Sequence, residues 1–323
     1  MMCISKKLAL LVTVCSAVFL LSSCVTNAIG NSLSGYKKNG KAISKKASAN
    51  DPMLALTGET DVILVGDFFP TVLKMYEILQ KQNPDHLGLL MMTGSLNVMY
   101  ANAFVQTPAE SLTVAEFDKQ NAEYERAKLH YLRGRDMELD FLDGRHKGFR
   151  EAMFSGDEEK IKAAVAKMDK NDVDAAYWCG AGWLAAFSLD ILNPDLIASL
   201  GAAVAILERA AQINPDYNNG AIWDVLFNFY MVAPGDFGGD PERGMQCYEE
   251  ELRVSGGKTP GLYVTYAQAV CLPNGDEKGF DEALEKALAI NPDDNPSARL
   301  MTTISQNKAR WLQAHKSDYF VQW

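Results

Sequence analysis

The sequence lacks the residue patterns that usually bind metals or nucleotides. Its four histidines are scattered, with no H-x₃-H or H-E-x₂-H spacing, and its six cysteines include no C-x₂-C pair, which disfavours a zinc site. Neither G-x₄-G-K-[ST] nor G-x-G-x₂-G occurs, so the common phosphate-binding loops are missing. We therefore predict no metal site, no cofactor and no enzymatic activity.

Basic residues are also in deficit, and long apolar runs are scarce. With 31 Lys and Arg against 41 Asp and Glu, the net charge is −10, which argues against nucleic acid as a partner. Apart from the N-terminus, we find no apolar run of the ~20 residues that a membrane-spanning helix needs. A helical channel or pump is therefore not expected.

The N-terminus has the features of a bacterial lipoprotein signal. Lys6 and Lys7 precede the apolar stretch 8–21, which ends in the lipobox Leu-Ser-Ser-Cys at residues 21–24. This pattern predicts a signal peptide over residues 1–23 and acylation of Cys24. Several acyl chains, at ~0.8 kcal/mol per buried CH₂, would form a stable membrane anchor.

The next segment, residues 24–50, is rich in Ser, Asn, Gly and Lys and is predicted to be a flexible lipidated tether. We then predict an N-terminal helical block with one degenerate repeat over residues 51–175, and helical repeats with a C-terminal helix over residues 176–323. Three cysteines of the body stand in apolar helical contexts and are predicted to be buried: Cys179, Cys247 and Cys271.

Helix signals dominate, so the predicted fold class is all-α. Asn-Pro-Asp occurs at 83–85, 193–195, 214–216 and 291–293. We interpret its Asn as a left-handed helix terminator, its Pro as a helix stop and its Asp as the start of the next segment. A long helix is predicted over residues 116–142, where the spacing of Glu125 and Lys128 favours a charged, solvated face.

A tetratricopeptide pattern recurs in the second half of the chain. Trp223, Leu226, Phe227 and Tyr230 fit the first helix of such a repeat, W-x₂-L-(G)-x₂-Y, and second helices are predicted at about 199–213, 242–254 and 279–290. The fold prediction is therefore a tetratricopeptide-like array of helical hairpins with an additional N-terminal helical block.

Repeat positions that usually face the concave side of such an array predict a mixed groove. Bulky apolar residues and sparse polar ones together are typical of a ligand or peptide pocket. A mere role in capping the helix stack is an equal alternative. The candidate ligand or partner residues are Trp183, Phe187, Asp224, Asn228, Met231 and Gln268.

Over residues 50–323 the chain resembles the T-components of the tetratricopeptide-associated TRAP transporters, a bacterial lipoprotein family. Gly244 and Glu251 depart from the pattern, since small residues, usually alanine, are expected there. The resemblance rests on five segments in order: "DVILVGDFFPTVLKMYE", "ERAKLHYLRGRDMELDFL", "YWCGAGWLAAFSLD", "GDFGGDPERGMQCYEEEL" and "NKARWLQAHKSDYF".

The resemblance implies an accessory subunit of TRAP-type solute uptake. It implies a TRAP-type periplasmic substrate-binding protein as partner, a small organic or hydrophobic ligand, and self-association, with a trimer suspected. It also implies a periplasmic protein tethered by its lipid to the inner or outer membrane. The alternative is a tetratricopeptide scaffold for envelope assembly, because such grooves more often grip peptides or helices than small molecules.

Overall fold

A computed structural model describes residue 28 and residues 30–43 and 54–320. The described chain is helical, and its one β-bridge joins Tyr36 to Ala42. The all-α prediction is therefore confirmed for these residues. Over residues 54–320, the α-helices of five or more residues are α1 (Val62–Gln82), α2 (Leu87–Tyr100), α3 (Phe117–Arg145), α4 (Phe149–Met153), α5 (Glu158–Val165), α6 (Val173–Leu189), α7 (Pro194–Ile213), α8 (Ala221–Val232), α9 (Pro241–Ser255), α10 (Pro260–Tyr266), α11 (Glu277–Ala289) and α12 (Arg299–Ala314).

Side-chain caps explain where several helices begin. Asp61, Asp240 and Asp276 each accept a hydrogen bond from a backbone N–H in the first turn of α1, α9 and α11, respectively. The His86 side chain caps α2 in the same way. Each cap satisfies a helix N–H that has no partner within its own helix.

The predicted role of asparagine in Asn-Pro-Asp is wrong in one respect. Asn83 and Asn214 do end α1 and α7, but with φ of −130° and −143° rather than in the left-handed conformation. Asn193 instead begins α7, because its side chain accepts hydrogen bonds from the backbone N–H groups of Asp195 and Leu196. The left-handed residues lie one turn later, at Asn218 and Asn219.

The long helix predicted over 116–142 is confirmed as α3, and its Glu125–Lys128 ion pair closes at 2.8 Å. The second helices predicted from the repeat pattern appear as α7, α9 and α11. Each packs against the helix before it, as α6 with α7, α8 with α9 and α10 with α11. The assignment of these pairs to tetratricopeptide repeats stays a prediction.

One hydrophobic core extends across residue 175, the predicted boundary between the N-terminal helical block and the repeats. It joins α1, α2 and α3 to α6, α7, α8 and α9, while a smaller cluster that includes Phe280 and Leu312 lies among α10, α11 and α12. Within the described residues, α7 is long and apolar enough to cross a membrane. Half of its most apolar window is buried, and it packs against α6 and α8, so core packing accounts for its apolar composition.

Part of the predicted tether is folded onto the body. Tyr36 is buried, with its ring edge against Phe141 at 6.3 Å, and the Lys38 carbonyl accepts a hydrogen bond from the Leu87 amide. The prediction of a flexible tether is therefore wrong at residues 30–43, because an aromatic anchor and backbone hydrogen bonds hold them. The predicted signal peptide and Cys24 lie outside the described residues.

The helices close into a ring. Contacts run from α1 to α2, α3, α6, α8, α10 and α12, and α12 returns to α1. Arg299, at the start of α12, donates to the carbonyl of Gly58 at 3.1 Å. Lys308 on α12 forms an ion pair with Glu110, just after α2, at 2.7 Å. The ends of the described body thus meet, and α12 faces the N-terminal block.

Candidate functional site

A cavity lies where α12 meets the N-terminal block, and it measures about 310 Å³. Its wall combines an ion pair, hydroxyl groups, one amide and aromatic rings. The lining residues are Thr107, Glu110, Ser111, Tyr124, Gln268, Lys308, Trp311, Leu312 and Tyr319.

Two π-helical turns border this cavity. One, Ala101–Gln106, extends α2 and directly precedes Thr107, and the other, Ala267–Cys271, extends α10 and contains Gln268. Each is followed within two residues by a proline, Pro108 or Pro273. Proline lacks the N–H that an α-helical turn would use, so it disturbs the regular hydrogen bonding of the helix around it. Such π-helical turns are frequent at functional sites.

The ion pair between Lys308 and Glu110 is the main charged feature of the cavity. About a quarter of each side chain is exposed. Gln106 donates from Nε2 to Glu110 Oε1 at 2.9 Å, which holds the carboxylate in place. A lysine and a glutamate 198 positions apart carry no signal in a single sequence, and sequence reasoning missed them. Pro108 and Pro273, which follow the π-helical turns, were the sequence feature near the cavity that could have drawn attention to it.

The predicted groove residues do not form one surface. Trp183 and Phe187 are buried, and the Trp183 indole N–H donates to Ser199 Oγ at 3.2 Å, so these two side chains line no open groove. They therefore form no exposed apolar patch, because α3 and α7 pack against α6 and the Phe237 ring packs on Phe187. Their side chains are core elements.

The remaining predicted residues are dispersed along the ring. Asn228 is exposed, Met231 is half-buried, and Gln268 lies in the cavity wall. Asp224 is half-buried on α8, close enough to Lys308 for the two charges to interact. A ligand role for these four residues stays a prediction.

The charge of Asp224 acts on a second acid, Glu251, which is buried on α9. Burial, and then the charge of Asp224, raises the pKa of Glu251 to about 10, although a hydrogen bond from Thr259 Oγ1 to Glu251 Oε1 at 2.9 Å opposes the shift. Burial likewise raises the pKa of Asp224. Asp224 Oδ1 and Glu251 Oε2 are enclosed and accept no hydrogen bond from the described residues. In the folded protein, Asp224 and Glu251 therefore bind a proton more readily than ordinary carboxyl groups do.

The structure explains the two departures from the repeat pattern. A Cβ at Gly244 would lie 2.7 Å from the Met231 sulfur, so glycine makes room for that side chain. Glu251 packs beside Gly220, whose φ of +95° allows the chain to turn there. Gly244 and Glu251 thus fit the shapes of the neighbouring residues Met231 and Gly220, so the packing at these positions stays close.

Helix α1 presents an exposed apolar face opposite its buried one. Leu64, Phe68, Met75 and Ile78 follow one another at intervals of 4, 7 and 3 residues, which places them on one side of the helix. They are 49 to 57 % exposed, and the adjacent Ile63 is 76 % exposed. Several large apolar side chains exposed on one side of a helix are typical of an interaction site.

Comparison with known proteins matches residues 58–320 to the family described as TRAP transporter T-component. The chain is also similar to an uncharacterized protein of Treponema pallidum (strain Nichols), with 44 % identity over 265 residues, covering 82 % of each chain. The family match includes every helix from α1 to α12, the cavity and the exposed face of α1. The chain therefore belongs to the TRAP transporter T-component family, whose members are accessory components of TRAP transport.

Proposed function

We propose that this protein is a membrane-anchored periplasmic subunit that binds the substrate-binding protein of its TRAP system and holds solute in the ring. Family membership supports the transport role. Solute binding is inferred from the closure of the ring. Where Lys308 on α12 contacts Glu110 of the N-terminal block, a cavity lined by both residues lies between the two parts. A ligand pocket is usually a concave site with a few convergent polar groups.

The exposed face of α1 supports the partner-binding part of the proposal. Helix α1 is fixed in position, because Val65, Phe69 and Leu73 on its other face are buried in the core. A preformed helix face binds a partner without the cost of ordering a flexible segment. We assign this face to the TRAP-type substrate-binding protein.

The double substitution Phe68→Gln and Met75→Gln is expected to weaken association with the substrate-binding protein at least about tenfold, because truncated apolar anchors at an interface each cost ~1 kcal/mol or more. Glutamine keeps good helix propensity, so α1 should remain folded. Biolayer interferometry with the TRAP-type binding protein of the same organism measures the affinity.

Leu129→Gln is the matched control, since Leu129 is 63 % exposed on a different helix, α3. It should bind like the wild type. If the wild-type protein shows no association at micromolar concentration, the partner assignment is wrong. If the double variant binds normally, a surface other than α1 is used.

The anchor and the oligomer belong to the same proposal. Labelling of cells with radioactive palmitate should mark the wild-type protein and not a Cys24→Ala variant, because Cys24 is the lipobox thiol. Light scattering on the protein in detergent should give a trimer. A monomer that captures only peptides would favour the scaffold alternative.

A further inference from the structure

The wall of the cavity is more polar than a site for a hydrophobic ligand requires. Four of its side chains carry hydroxyl groups, and Gln268 adds an amide. Apolar ligands are usually held by walls that are predominantly apolar, with few polar groups. The cavity is also at the small end of the usual range for ligand sites, about 300 to 1,000 Å³. It suits a small, hydrophilic molecule.

The charges of the wall come as a pair of opposite sign. Lys308 and Glu110 are both part of the lining, and their charged atoms are 2.7 Å apart. The ammonium group of Lys308 has three N–H donors, of which Glu110 takes one. Glu110 Oε2, the oxygen nearest Lys308, is enclosed, while Oε1 accepts one hydrogen bond from Gln106 and has a second lone pair. Lys308 and Glu110 Oε1 therefore keep hydrogen-bonding capacity for a ligand.

From this pairing we infer that the cavity binds a small zwitterion of the α-amino-acid class, with its carboxylate on Lys308 and its ammonium group on Glu110. A simple anion would meet the Glu110 charge, and a simple cation would meet the Lys308 charge. A zwitterion presents the complementary charge to each. The side chains of Trp311, Tyr124 and Tyr319 also line the cavity, and an aromatic ring attracts an ammonium group.

A hydrophobic ligand is disfavoured by the same ion pair. To cover Lys308 and Glu110 it would have to strip water from two charges and return no hydrogen bonds, which is costly. The inference rests on the proposed function only in taking the cavity as the solute site. It narrows the small organic or hydrophobic ligand that family resemblance implies to one chemical class, on the evidence of the side chains of this chain.

The first test is a ligand panel on the whole protein in detergent. The twenty amino acids are screened by thermal shift, and each hit is measured by calorimetry beside two analogues, one without the amino group and one without the carboxylate. We expect at least one amino acid to bind, and both analogues to bind at least about tenfold more weakly, since each loses a charge-assisted hydrogen bond. Equal binding of the deaminated analogue, or no hit, would overturn the inference.

The second test uses variants of the ion pair. Lys308→Met and the double variant Lys308→Met with Glu110→Gln should each reduce the affinity for the hit at least about tenfold, the double variant without leaving an unpaired charge. The control is Lys128→Met, which breaks the Lys128–Asp190 pair, at 2.8 Å, away from the cavity lining. It should bind the amino acid like the wild type. Unchanged binding in the double variant would overturn the inference.

Association with the substrate-binding protein is measured on the same variants. Loss of zwitterion binding with retained association supports the assignment of the cavity to the solute. Retained association with no zwitterion binding in the wild type overturns this inference and leaves the partner proposal standing. Absence of association in the wild type overturns the partner proposal instead.

Discussion

Replacement of Trp183 by alanine is expected to lower the free energy of unfolding by about 3–5 kcal/mol, the usual cost of deleting a fully buried aromatic side chain. The side chain has no exposed surface. Its ring packs beside Phe154, with 5.2 Å between centroids, and the Arg135 guanidinium lies 5.0 Å from it. The substitution would leave a cavity, remove the cation–π contact and take the donor from Ser199 Oγ.

Urea denaturation followed by circular dichroism measures this change. Trp183→Phe keeps an aromatic ring at this position and should lose less stability than Trp183→Ala. The phenylalanine variant therefore provides a folded comparison if the alanine variant does not accumulate. Leu192→Ala, at a position 81 % exposed, is the surface control and should change the unfolding free energy by less than about 0.5 kcal/mol. A loss below about 1 kcal/mol for Trp183→Ala would instead support the groove role predicted from the repeat pattern.

Glu251→Gln is expected to stabilise the protein by about 3 kcal/mol at pH 7, because it removes the need to bind a proton on folding. The pKa of Glu251 is raised from its ordinary value of 4.5 to about 10, chiefly by burial and then by the charge of Asp224. At pH 7 the folded protein therefore holds a proton that the unfolded chain has released. Glutamine is neutral in both states and still accepts from Thr259.

The pH dependence of this gain has a definite sign. Below pH 4.5 both states are protonated at Glu251, so the wild type and the variant should differ little. As the pH rises towards the folded pKa, the wild type progressively loses stability relative to the variant. Unfolding free energies between pH 5 and pH 8 should thus diverge by ~1 kcal/mol per pH unit.

Glu249→Gln is the matched control for this experiment, since Glu249 is exposed on the same helix, α9. It should show no such divergence. If Glu251→Gln is less stable than the wild type throughout this range, then Glu251 is ionised in the folded protein, and a counter-charge must stabilise it.

Local chemistry made much of the fold predictable. The second helices α7, α9 and α11 follow from amphipathic periodicity, and the long helix α3 from a proline-free stretch rich in Glu, Lys, Arg and Leu. The buried state of Cys179, Cys247 and Cys271 follows from their apolar neighbours and is confirmed. These signals depend on residues within one or two helical turns, which a single sequence contains in full.

The site was harder to predict because its parts are far apart in the chain. Periodicity gave Trp183 and Gln268 equivalent places on first helices, but whether such a face is open depends on what packs over it. Helix α3 covers α6, whereas Gln268 borders the hollow beside α12. The repeat pattern contains no information on a non-repeat helix such as α3.

The sequence by itself determined the helical class and the positions of the main helices, because each depends on short-range preferences of the chain. The lipoprotein signal at the N-terminus stays a prediction from the same kind of local pattern. Only the tertiary structure decided that Arg299 reaches Gly58, that Lys308 reaches Glu110, and that Asp224 meets Glu251. The first two contacts join the C-terminal helix α12 to residues far earlier in the chain, and the third joins the neighbouring helices α8 and α9. All three depend on how whole helices pack against one another, which no local pattern of residues records.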